Sequence, residues 1–414
     1  MKSLARIFAF FLVSVTLAGC LAYPPKRPVE PPMGAEREAV GEIPLPASPG
    51  YAPYAPGRKM PTGPGVKVAL LVPLSGPNAA LGKAMQDAAV MAIFDKYEGV
   101  PQSKQIRVVE LLPKDTGDTA DQAAIAAREA VDEGAQIILG PVFGNQVAAV
   151  SPVARSQTVP VITFSNNMSA LAPGVYLFGF IPDQQVRRVI EFALARGMNR
   201  IAGLAPSNPY GNTVMKQLLS QSADKGVVAQ PIEYYPQDST NVTKQTKRIV
   251  STLRATPGNN ALLIAEGGDR LAIINDALSI EKVTGMNLPL LGTGLWDTPE
   301  VLRYPALQGG IFASADLQKN RAFEERFMTR FGYRPDRRVS LAYDATALAA
   351  TLALNPNGAD FSHAALTDAV GFNGPANGIF RFRGNGVAER ALAIIQITPA
   401  GFVTIEPSQG SFLR

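Results

Sequence analysis

Cysteine, histidine and tryptophan are almost absent from this sequence, because its 414 residues contain only one of each. A disulfide bond or a histidine-ligated zinc ion needs more of these side chains than the chain offers. The one histidine, His363, precedes a short alanine-rich segment, where we expect a surface position. These scarcities argue against disulfide-stabilised proteins, zinc enzymes and hydrolases that use a catalytic histidine.

Several motifs of catalysis and cofactor binding are also missing. The chain has neither a phosphate-binding Gly-x-x-x-x-Gly-Lys-Ser/Thr loop nor a Gly-x-Ser-x-Gly nucleophile elbow. Gly292-Thr293-Gly294 follows a predicted strand but lacks the third glycine of a dinucleotide site. Asp115, Asp118 and Asp121 do not have the spacing of a calcium loop, and we interpret them as loop and helix-start residues. We predict no catalytic residue, no cofactor and no metal.

Charge is low and nearly balanced, with 39 Lys and Arg against 34 Asp and Glu, a formal excess of +5. Lys2 and Arg6 contribute two of these charges, and the segment from Leu21 to Gly65 contributes one more, with five basic and four acidic residues. The remaining excess of about +2 is spread over roughly 350 residues. The sequence therefore predicts no basic face and no nucleic-acid partner.

The first twenty residues have the pattern of an export signal. A short basic start is followed by an apolar run from Ile7 to Gly19, too short for the roughly 20 residues of a membrane-spanning helix. Leu17-Ala18-Gly19-Cys20 resembles the bacterial lipobox, which implies that Cys20 is lipidated and becomes the first residue of the mature protein, with residues 1–19 as the signal peptide. Leu21 is not aspartate, which by the usual sorting pattern implies anchoring in the outer membrane. A plain secretion signal with an incidental cysteine is the alternative.

Residues 20–65 are predicted to form a tether between that anchor and the folded body. Twelve of the 34 prolines lie between Leu21 and Gly65, which favours polyproline II and excludes helix. At ~3.1 Å per residue, such a segment reaches on the order of 140 Å. Both a plain spacer and a specific proline-rich ligand are compatible with this composition.

From Val66 onward, short apolar runs alternate with longer segments of helical periodicity, which predicts an α/β fold with parallel sheets. The helix after Ser75-Gly76-Pro77-Asn78 presents Leu81, Met85, Ala88 and Ala92 on one side, and Asp118 or Thr119 is a candidate cap for the next helix. Four βα units of this regularity predict a doubly wound sheet. The predicted strands of this part are 66–74, 106–112, 135–139 and 159–164.

The pattern then restarts and predicts a second lobe of the same kind. Its predicted strands are 200–205, 227–235, 261–265 and 288–291, and its predicted helices are 183–196, 242–254, 269–279 and one after Asn208-Pro209-Tyr210-Gly211. The segment 311–315 reads as a strand of the first lobe, followed by helices at 321–331 and 341–354 and by antiparallel strands at 379–382, 391–397 and 402–405. We therefore expect one bilobal domain over 66–405 with a hinge, an inter-lobe cleft and a tail at 406–414. Its first lobe would comprise about 66–181 and 293–375, and its second about 182–292 and 376–405.

This order of motifs resembles the type I periplasmic binding proteins, specifically the leucine-binding protein family. Four segments carry the resemblance, and the closing segment Ile379-Phe380-Arg381-Phe382 with Gly384-Asn385-Gly386 is also similar. The four are Val72-Pro73-Leu74-Ser75-Gly76, Ile138-Leu139-Gly140-Pro141, Val159-Pro160-Val161-Ile162 and Asn208-Pro209-Tyr210-Gly211. The resemblance covers nearly all of residues 66–405. It implies a non-enzymatic protein that closes on a small ligand between two lobes.

The resemblance also implies a set of ligand contacts. In amino-acid-binding members, hydroxyl and backbone N–H groups after the third and fourth strands hold the ligand carboxylate, and an acid in the second lobe holds its ammonium group. The matching positions in this sequence are Ser75, Gly144, Asn145, Ser165, Asn166 and Asn167, with Tyr210 and Glu266 opposite. Strand-to-helix turns with caps are the structural alternative for 165–167, and packing is the alternative for Tyr210 and Trp296.

Two functions are compatible with these resemblances. The first is a periplasm-facing lipoprotein that binds an amino acid or similar solute and delivers it to an ABC permease. The second follows from the similarity of Cys20, Leu21, the tether and the Ser165-Asn166-Asn167 loop to outer-membrane lipoproteins that activate a penicillin-binding protein in peptidoglycan synthesis. In both, the membrane is reached through the N-terminal lipid.

Overall fold

The structure, a computed structural model, describes residues 65–98, 108–239, 241–256, 258, 260–355 and 358–413. The predicted signal peptide, Cys20 and the proline-rich segment before Gly65 lie outside these residues. Within the described ranges, no helix is both long and apolar enough to span a membrane.

The first sheet is parallel and has five strands in the order β2-β1-β3-β4-β5. They are β1 (Gly65–Val72), β2 (Val108–Asp115), β3 (Ile137–Leu139), β4 (Val161–Thr163) and β5 (Val175–Leu177), with helices α1 (Ala79–Tyr97), α2 (Ala120–Asp132) and α3 (Gly144–Ser156) between them. Residues 68–72 are fully buried, as expected for a strand covered by helices on both faces. Thr119, one of the two predicted caps, begins α2 in a reciprocal capping box with Gln122. The sequence pattern missed β5, which has only three residues.

The chain then crosses to a second sheet. Its first strands are β6 (Arg200–Pro206), β7 (Ile232–Tyr235), β8 (Asn260–Ile264), β9 (Leu290–Gly292) and β10 (Ile311–Ser314), and its helices are α4 (Pro182–Ala195), α5 (Pro209–Lys225), α6 (Thr243–Ala255) and α7 (Gly268–Ile280). The side chain of Asn208 caps α5, so this helix begins within the Asn208-Pro209-Tyr210-Gly211 segment rather than after it. The strand predicted at 227–235 is shorter than expected and begins only after Pro231, which has no N–H to donate.

After β10 the chain returns to the first lobe. This part contains α8 (Leu317–Phe331), α9 (Val339–Ala353), α10 (His363–Leu366) and a small antiparallel sheet of β11 (Phe372–Gly374), β12 (Gly378–Phe382) and β13 (Ala388–Arg390). Helix α9 packs on α1 within the core of the first lobe. Phe380 and Phe382 of β12 lie against Phe178, with ring centroids 4.7 and 5.7 Å away.

Two final strands, β14 (Ala393–Thr398) and β15 (Gly401–Glu406), complete the second sheet in the order β15-β14-β10-β9-β8-β6-β7. Strand β10 pairs parallel to β9 and antiparallel to β14, so the prediction that 311–315 belongs to the first lobe is wrong. The physical reason is packing, because Phe312 is fully buried in the core of the second lobe beside Trp296.

The predicted lobe boundaries in the second half of the chain are wrong for the same reason. Residues 293–315 complete the second lobe, and residues 376–390 belong to the first. The chain passes between the lobes three times, at 178–181, 315–316 and 391–392. We refer to these three short segments as the crossings.

An ion pair joins the lobes beside the crossings. The guanidinium of Arg337, just before α9 in the first lobe, donates to Asp297 Oδ2 of the second lobe at 3.2 Å, and both side chains are largely buried. Asp297 also accepts from the Ser314 hydroxyl at 2.7 Å, where β10 ends. Arg337 donates further to Asn377 Oδ1 at 2.6 Å and lies 4.6 Å from the ring centre of Phe180 in the first crossing. Arg337 therefore contacts the first crossing through Phe180 and links the first lobe to Asp297, which is bonded in turn to Ser314 beside the second crossing.

A second buried charge lies at the third crossing. Arg390 is only 6% exposed, donates to Phe178 O at 2.7 Å and lies 4.2 Å from the Phe178 ring centre. Burial lowers its pKa to about 10, although the nearby carboxylate of Asp344 acts in the opposite direction. Arg390 therefore stays charged at neutral pH. Asp344 accepts from Ala376 N and Asn377 Nδ2, both at 2.8 Å.

Asp115 ties together the loops that follow β1 and β2. Its Oδ1 accepts from the backbone N–H groups of Leu74 at 2.8 Å, Ser75 at 3.2 Å and Gly117 at 2.8 Å. Burial raises the pKa of Asp115, but the Ser75 hydroxyl and these N–H groups outweigh it and hold the pKa below its ordinary value of 3.8. The ionised carboxylate therefore stabilises the folded state.

We expect Asp115→Asn to lower the free energy of unfolding at pH 7 by about 1 kcal/mol, because solvent around this exposed carboxylate reduces the roughly 1.5–3 kcal/mol of hydrogen bonds to a charged group. Because the pKa is depressed on folding, this contribution is complete above about pH 5 and disappears as the pH falls through the folded pKa. Urea unfolding between pH 7 and pH 2 measures it. The control is Asp132→Asn at the exposed far end of α2, and an Asp115→Asn loss that persists unchanged to pH 2 would contradict the assignment.

Removing one partner of the inter-lobe ion pair leaves the other charge largely buried, so Asp297→Asn should cost about 3 kcal/mol in the free energy of unfolding. The matched control is Arg338→Gln, which breaks the neighbouring Arg338–Asp336 pair, whose side chains are 49% and 44% exposed. Such a pair contributes about 0–1 kcal/mol. Urea unfolding of both variants measures the two losses in the free energy of unfolding. Equal losses would show that the inter-lobe pair contributes no more than an exposed pair.

Candidate functional site

The carboxyl ends of the parallel strands meet at the crossings. The first crossing leaves the carboxyl end of β5, and the second leaves the carboxyl end of β10. The loops that follow the strands of both lobes therefore face one gap. Open α/β sheets bind their ligands at this edge, and we take the gap between the lobes as the candidate site.

On the first lobe, Ser75 lies in the loop between β1 and α1. It is exposed, but its N–H and its hydroxyl are both hydrogen-bonded to Asp115. Asn78, three residues further on, donates from Nδ2 to Asp118 Oδ1 at 3.0 Å. Ser75 therefore lies at the predicted edge of the sheet, where Asp115 already satisfies both its N–H and its hydroxyl.

Gly144 and Asn145 are the first residues of α3, beside the loop after β4. Helix α3 begins without a side-chain cap, and Asn145 is exposed. A Cβ on Gly144 would lie 2.9 Å from Asn167 Cβ and Nδ2 and 3.2 Å from Ser165 Oγ. Glycine is therefore required for the two loops to approach each other this closely.

The predicted Ser165-Asn166-Asn167 segment forms a turn with extensive internal hydrogen bonding. The buried Ser165 Oγ accepts from Asn167 N at 3.1 Å, and Asn167 Oδ1 accepts from Ser169 N at 3.0 Å. Asn166 is exposed and its Nδ2 lies 3.4 Å from Phe180 O in the first crossing. The capping alternative is therefore realised at Asn167, which begins a short 3-10 turn.

On the second lobe, Glu266 follows β8 and accepts two hydrogen bonds. Tyr235 OH donates to Glu266 Oε2 at 2.6 Å, and Gly267 N donates to Glu266 Oε1 at 3.1 Å. Trp296 Nε1 donates to the Glu266 backbone carbonyl at 3.1 Å, and the Trp296 side chain is fully buried. Packing rather than ligand stacking is therefore the role of Trp296.

Tyr210 lies at the start of α5, with its hydroxyl 2.7 Å from Thr293 Oγ1. Burial of the hydroxyl end raises its pKa, the Thr293 hydrogen bond acts in the opposite direction, and the negative charge of Glu266 raises it further. Burial also raises the pKa of Tyr235, reinforced by Glu266 and opposed by Arg270. Both phenols are neutral at physiological pH, and Tyr235, which donates to Glu266, fixes the orientation of that carboxylate.

The sequence pattern did not identify Tyr235 and Thr293 as site residues. Each contributes only through a hydrogen bond to a residue distant in the chain, Glu266 and Tyr210 respectively. A signal for both was present, since each lies where a predicted strand of the second lobe ends. The glycines of Gly292-Thr293-Gly294 have a packing explanation. A Cβ on Gly292 would lie 2.2 Å from the Trp296 indole, and one on Gly294 would lie 2.7 Å from Gln185 Nε2.

The single histidine lies away from these strand ends. His363 is exposed at the start of α10, and its Nδ1 is 2.9 Å from Tyr176 OH. Both residues line a cavity of about 550 Å³ beside the start of β5. Among the described residues, no group of three or more His, Cys, Asp or Glu side chains is arranged to hold a metal ion.

Comparison with known proteins agrees with this architecture. An uncharacterised protein of Rickettsia prowazekii is 25% identical over 205 residues, which are 49% of this chain and 50% of that protein. A Leu/Ile/Val-binding protein homologue of Brucella abortus is 28% identical over 150 residues, 35% of this chain and 37% of its own. The chain thus spans half or less of the length of these curated relatives.

Solved structures match over more of the chain. A putative branched-chain amino acid ABC transporter protein from Rhodospirillum rubrum has a TM-score of 0.72 at 20% identity, covering 82% of this chain and 100% of its own. An ABC transporter solute-binding protein from R. palustris, in complex with benzoate, has a TM-score of 0.60 at 18% identity, covering 84% and 97%. These likenesses confirm the predicted two-lobed type I fold.

The family model described as "Periplasmic binding protein" matches residues 65–401, which include both sheets up to the start of β15. The match contains all three crossings and every loop that borders the gap. This chain therefore belongs to the periplasmic binding protein family.

Proposed function

We propose that this protein is a periplasm-facing, solute-binding lipoprotein that captures an amino acid or a similar small solute for ABC-type transport. The observation that supports it is the gap bordered by strand-end loops of two lobes that the chain connects through three short crossings. Short crossings permit the lobes to close on a ligand by hinge motion. The role is one of binding rather than catalysis.

The proposed contacts divide between the lobes. Ser75, Gly144, Asn145 and the 165–167 turn would meet the polar end of the solute with amide, hydroxyl and backbone groups. Glu266 would meet an amine, because a carboxylate has about four lone-pair sites and only two are used by Tyr235 and Gly267. Tyr210 would border the same pocket with its hydroxyl, which is hydrogen-bonded to the hydroxyl of Thr293.

The lipid anchor belongs to the same proposal. Lipidation of Cys20 and outer-membrane sorting are supported by the lipobox-like sequence, and several buried acyl chains at roughly 0.8 kcal/mol per methylene would hold the protein firmly. The proline-rich segment would then set how far the binding domain reaches from the membrane.

Activation of a penicillin-binding protein is a second candidate function. It is supported by the internal hydrogen bonding of the first-lobe loops, where Asp115 and Asn167 already use groups expected to meet a ligand. Under this alternative the protein would crosslink in cells to a peptidoglycan synthase and not to a permease.

Thermal unfolding against a panel of amino acids, small amides and aromatic acids tests solute binding. A solute at 100 times its Kd should raise the free energy of unfolding by about 2.7 kcal/mol and raise the Tm accordingly. No change in Tm with any member of a broad panel would remove the transport role and leave the activator role.

For any solute amine that binds, Glu266→Gln should weaken binding at least tenfold, because a hydrogen bond between charged groups contributes about 1.5–3 kcal/mol. Glu281→Gln, at the opposite end of α7, is the matched control and should bind as the unaltered protein does. Titration calorimetry measures both. Unchanged affinity in Glu266→Gln would show that the solute amine does not contact this carboxylate.

Replacing the single cysteine, Cys20→Ser, should abolish palmitate incorporation and move the protein from the membrane fraction to the soluble periplasmic fraction. The reason is that a thioether to lipid requires this thiol. Metabolic labelling with radioactive palmitate and cell fractionation are the measurements. Palmitate labelling of the serine variant equal to that of the unaltered protein would refute the proposed anchor.

A further inference from the structure

Beyond its last strand, the chain returns once more from the second lobe to the first. Strand β15 ends at Glu406, whose carboxylate pairs with Arg188 of α4 in the second lobe at 2.5 Å. Six residues later, the ring centre of Phe412 lies 4.7 Å from the guanidinium carbon of Arg381, on β12 of the first lobe. We refer to residues 407–413 as the strap. Unlike the three crossings, the strap is held on the first lobe without a covalent connection at its far end.

One side chain fastens the strap. Phe412 is only 9% exposed, whereas the side chains next to it, Ser411 and Leu413, are exposed, Leu413 to 56%. Among the described residues, the only hydrogen bond of the strap is internal, from Leu413 N to Ser411 Oγ at 3.0 Å. Burial of the Phe412 ring and its attraction to a cation therefore hold the strap in place.

Arg381 is a fixed anchor for that ring. Its Nε donates to Glu389 Oε2 at 2.9 Å, and its Nη1 donates to Ala369 O at 3.3 Å. Glu389 lies opposite Arg381 on β13, so the guanidinium is held within the small sheet of the first lobe. A guanidinium that is bonded on two sides presents its face to an aromatic ring in one orientation. Phe412 is thus seated on a rigid part of the first lobe.

The strap runs beside the third crossing. Glu406, where the strap begins, lies opposite Ile394 of β14, two residues after that crossing. Arg381, where the strap is anchored, lies opposite Glu389 of β13, two residues before it. Neighbouring strands are about 4.8 Å apart, so the strap begins one strand spacing away from the chain of the crossing. The strap and the third crossing therefore connect the same two parts of the lobes side by side.

The length of the strap limits how far the lobes can separate along it. Six residues lead from Glu406 to Phe412, and a fully extended chain of that length spans at most about 20 Å. Because the strap lies beside the crossing, a rotation of the lobes that opens this side lengthens the path between its two ends. A rotation beyond the reach of the strap must therefore withdraw Phe412 from the first lobe.

We propose that the strap is a latch on the hinge. Phe412 seated on Arg381 holds the lobes in the arrangement of this structure, and release of Phe412 allows a wider rotation. A ligand or partner that favours another arrangement binds less tightly while the latch is closed. The strap follows the family match at residues 65–401, so the latch lies outside the part that this chain shares with the family model. The inference concerns lobe motion and applies to either proposed function.

The test measures the distance between the lobes with two spin labels and double electron–electron resonance. Cys20 is the only cysteine, so the full chain with Cys20→Ser, Asp121→Cys and Lys244→Cys is labelled at two positions alone. Both positions are exposed, in the first turns of α2 and α6. These turns follow the carboxyl ends of β2 and β7 and so border the gap on opposite lobes. We expect one narrow population of distances for this labelled chain.

Phe412→Ala should add a second population of distances. Loss of a buried phenylalanine ring should raise the ratio of released to latched molecules about tenfold. Leu413→Ala is the matched control, because it truncates the exposed neighbouring side chain and should leave the distances unchanged. Phe412→Tyr retains the ring and should also keep the single narrow population. Unchanged distances in Phe412→Ala, or an equal change in Leu413→Ala, would overturn the latch.

A truncated chain keeps the test decisive if Phe412→Ala fails to fold. A chain that ends at Glu406 lacks the strap but retains every strand and helix of the described residues. It should show the same second population of distances as Phe412→Ala. A single narrow population in the truncated chain, equal to that of the full chain, would show that the strap does not restrain the lobes.

Discussion

The relation between the two lobes depends on the ion pair between Arg337 and Asp297. Each partner lies on a different lobe and has a further partner there, Ser314 for Asp297 and Asn377 for Arg337. Two charges removed from water are tolerated only with such additional partners, because their desolvation otherwise outweighs their attraction. The pair therefore joins the lobes in the arrangement of this structure, and its further partners offset the cost of its burial.

The remaining buried charges at the crossings follow the same logic. Asp344 accompanies Arg390, and burial raises the pKa of its carboxyl group although the Ala376 N–H, Arg390 and Asn377 act in the opposite direction. Phenylalanine rings surround Arg390 at 4.2 to 5.5 Å, which compensates part of its lost hydration. Aromatic rings and charges together fill the space where the chain passes between the lobes.

Much of the architecture could be predicted from the sequence, because buried parallel strands such as β1 and β8 are short apolar runs between helical segments. The assignment of β10 to a lobe could not, since an apolar strand reads the same whichever sheet it completes. The loops of the candidate site were predictable from the rule that ligands lie beyond strand carboxyl ends. The partners of Glu266 and Ser75 were not, because Tyr235 and Asp115 approach them only through strand register and the packing of distant segments.

The position of β10 between β9 and β14 has a consequence for how this chain is made. The second sheet lacks its last two strands until residues 393–406 have been synthesised, and the first lobe lacks α8 and α9 until after residue 353. Neither lobe is complete in any contiguous part of the nascent polypeptide. Apolar strand edges therefore stay uncovered until almost the entire chain is available, a state prone to aggregation and suited to capture by chaperones. The interleaved topology thus delays completion of both lobes until the end of synthesis.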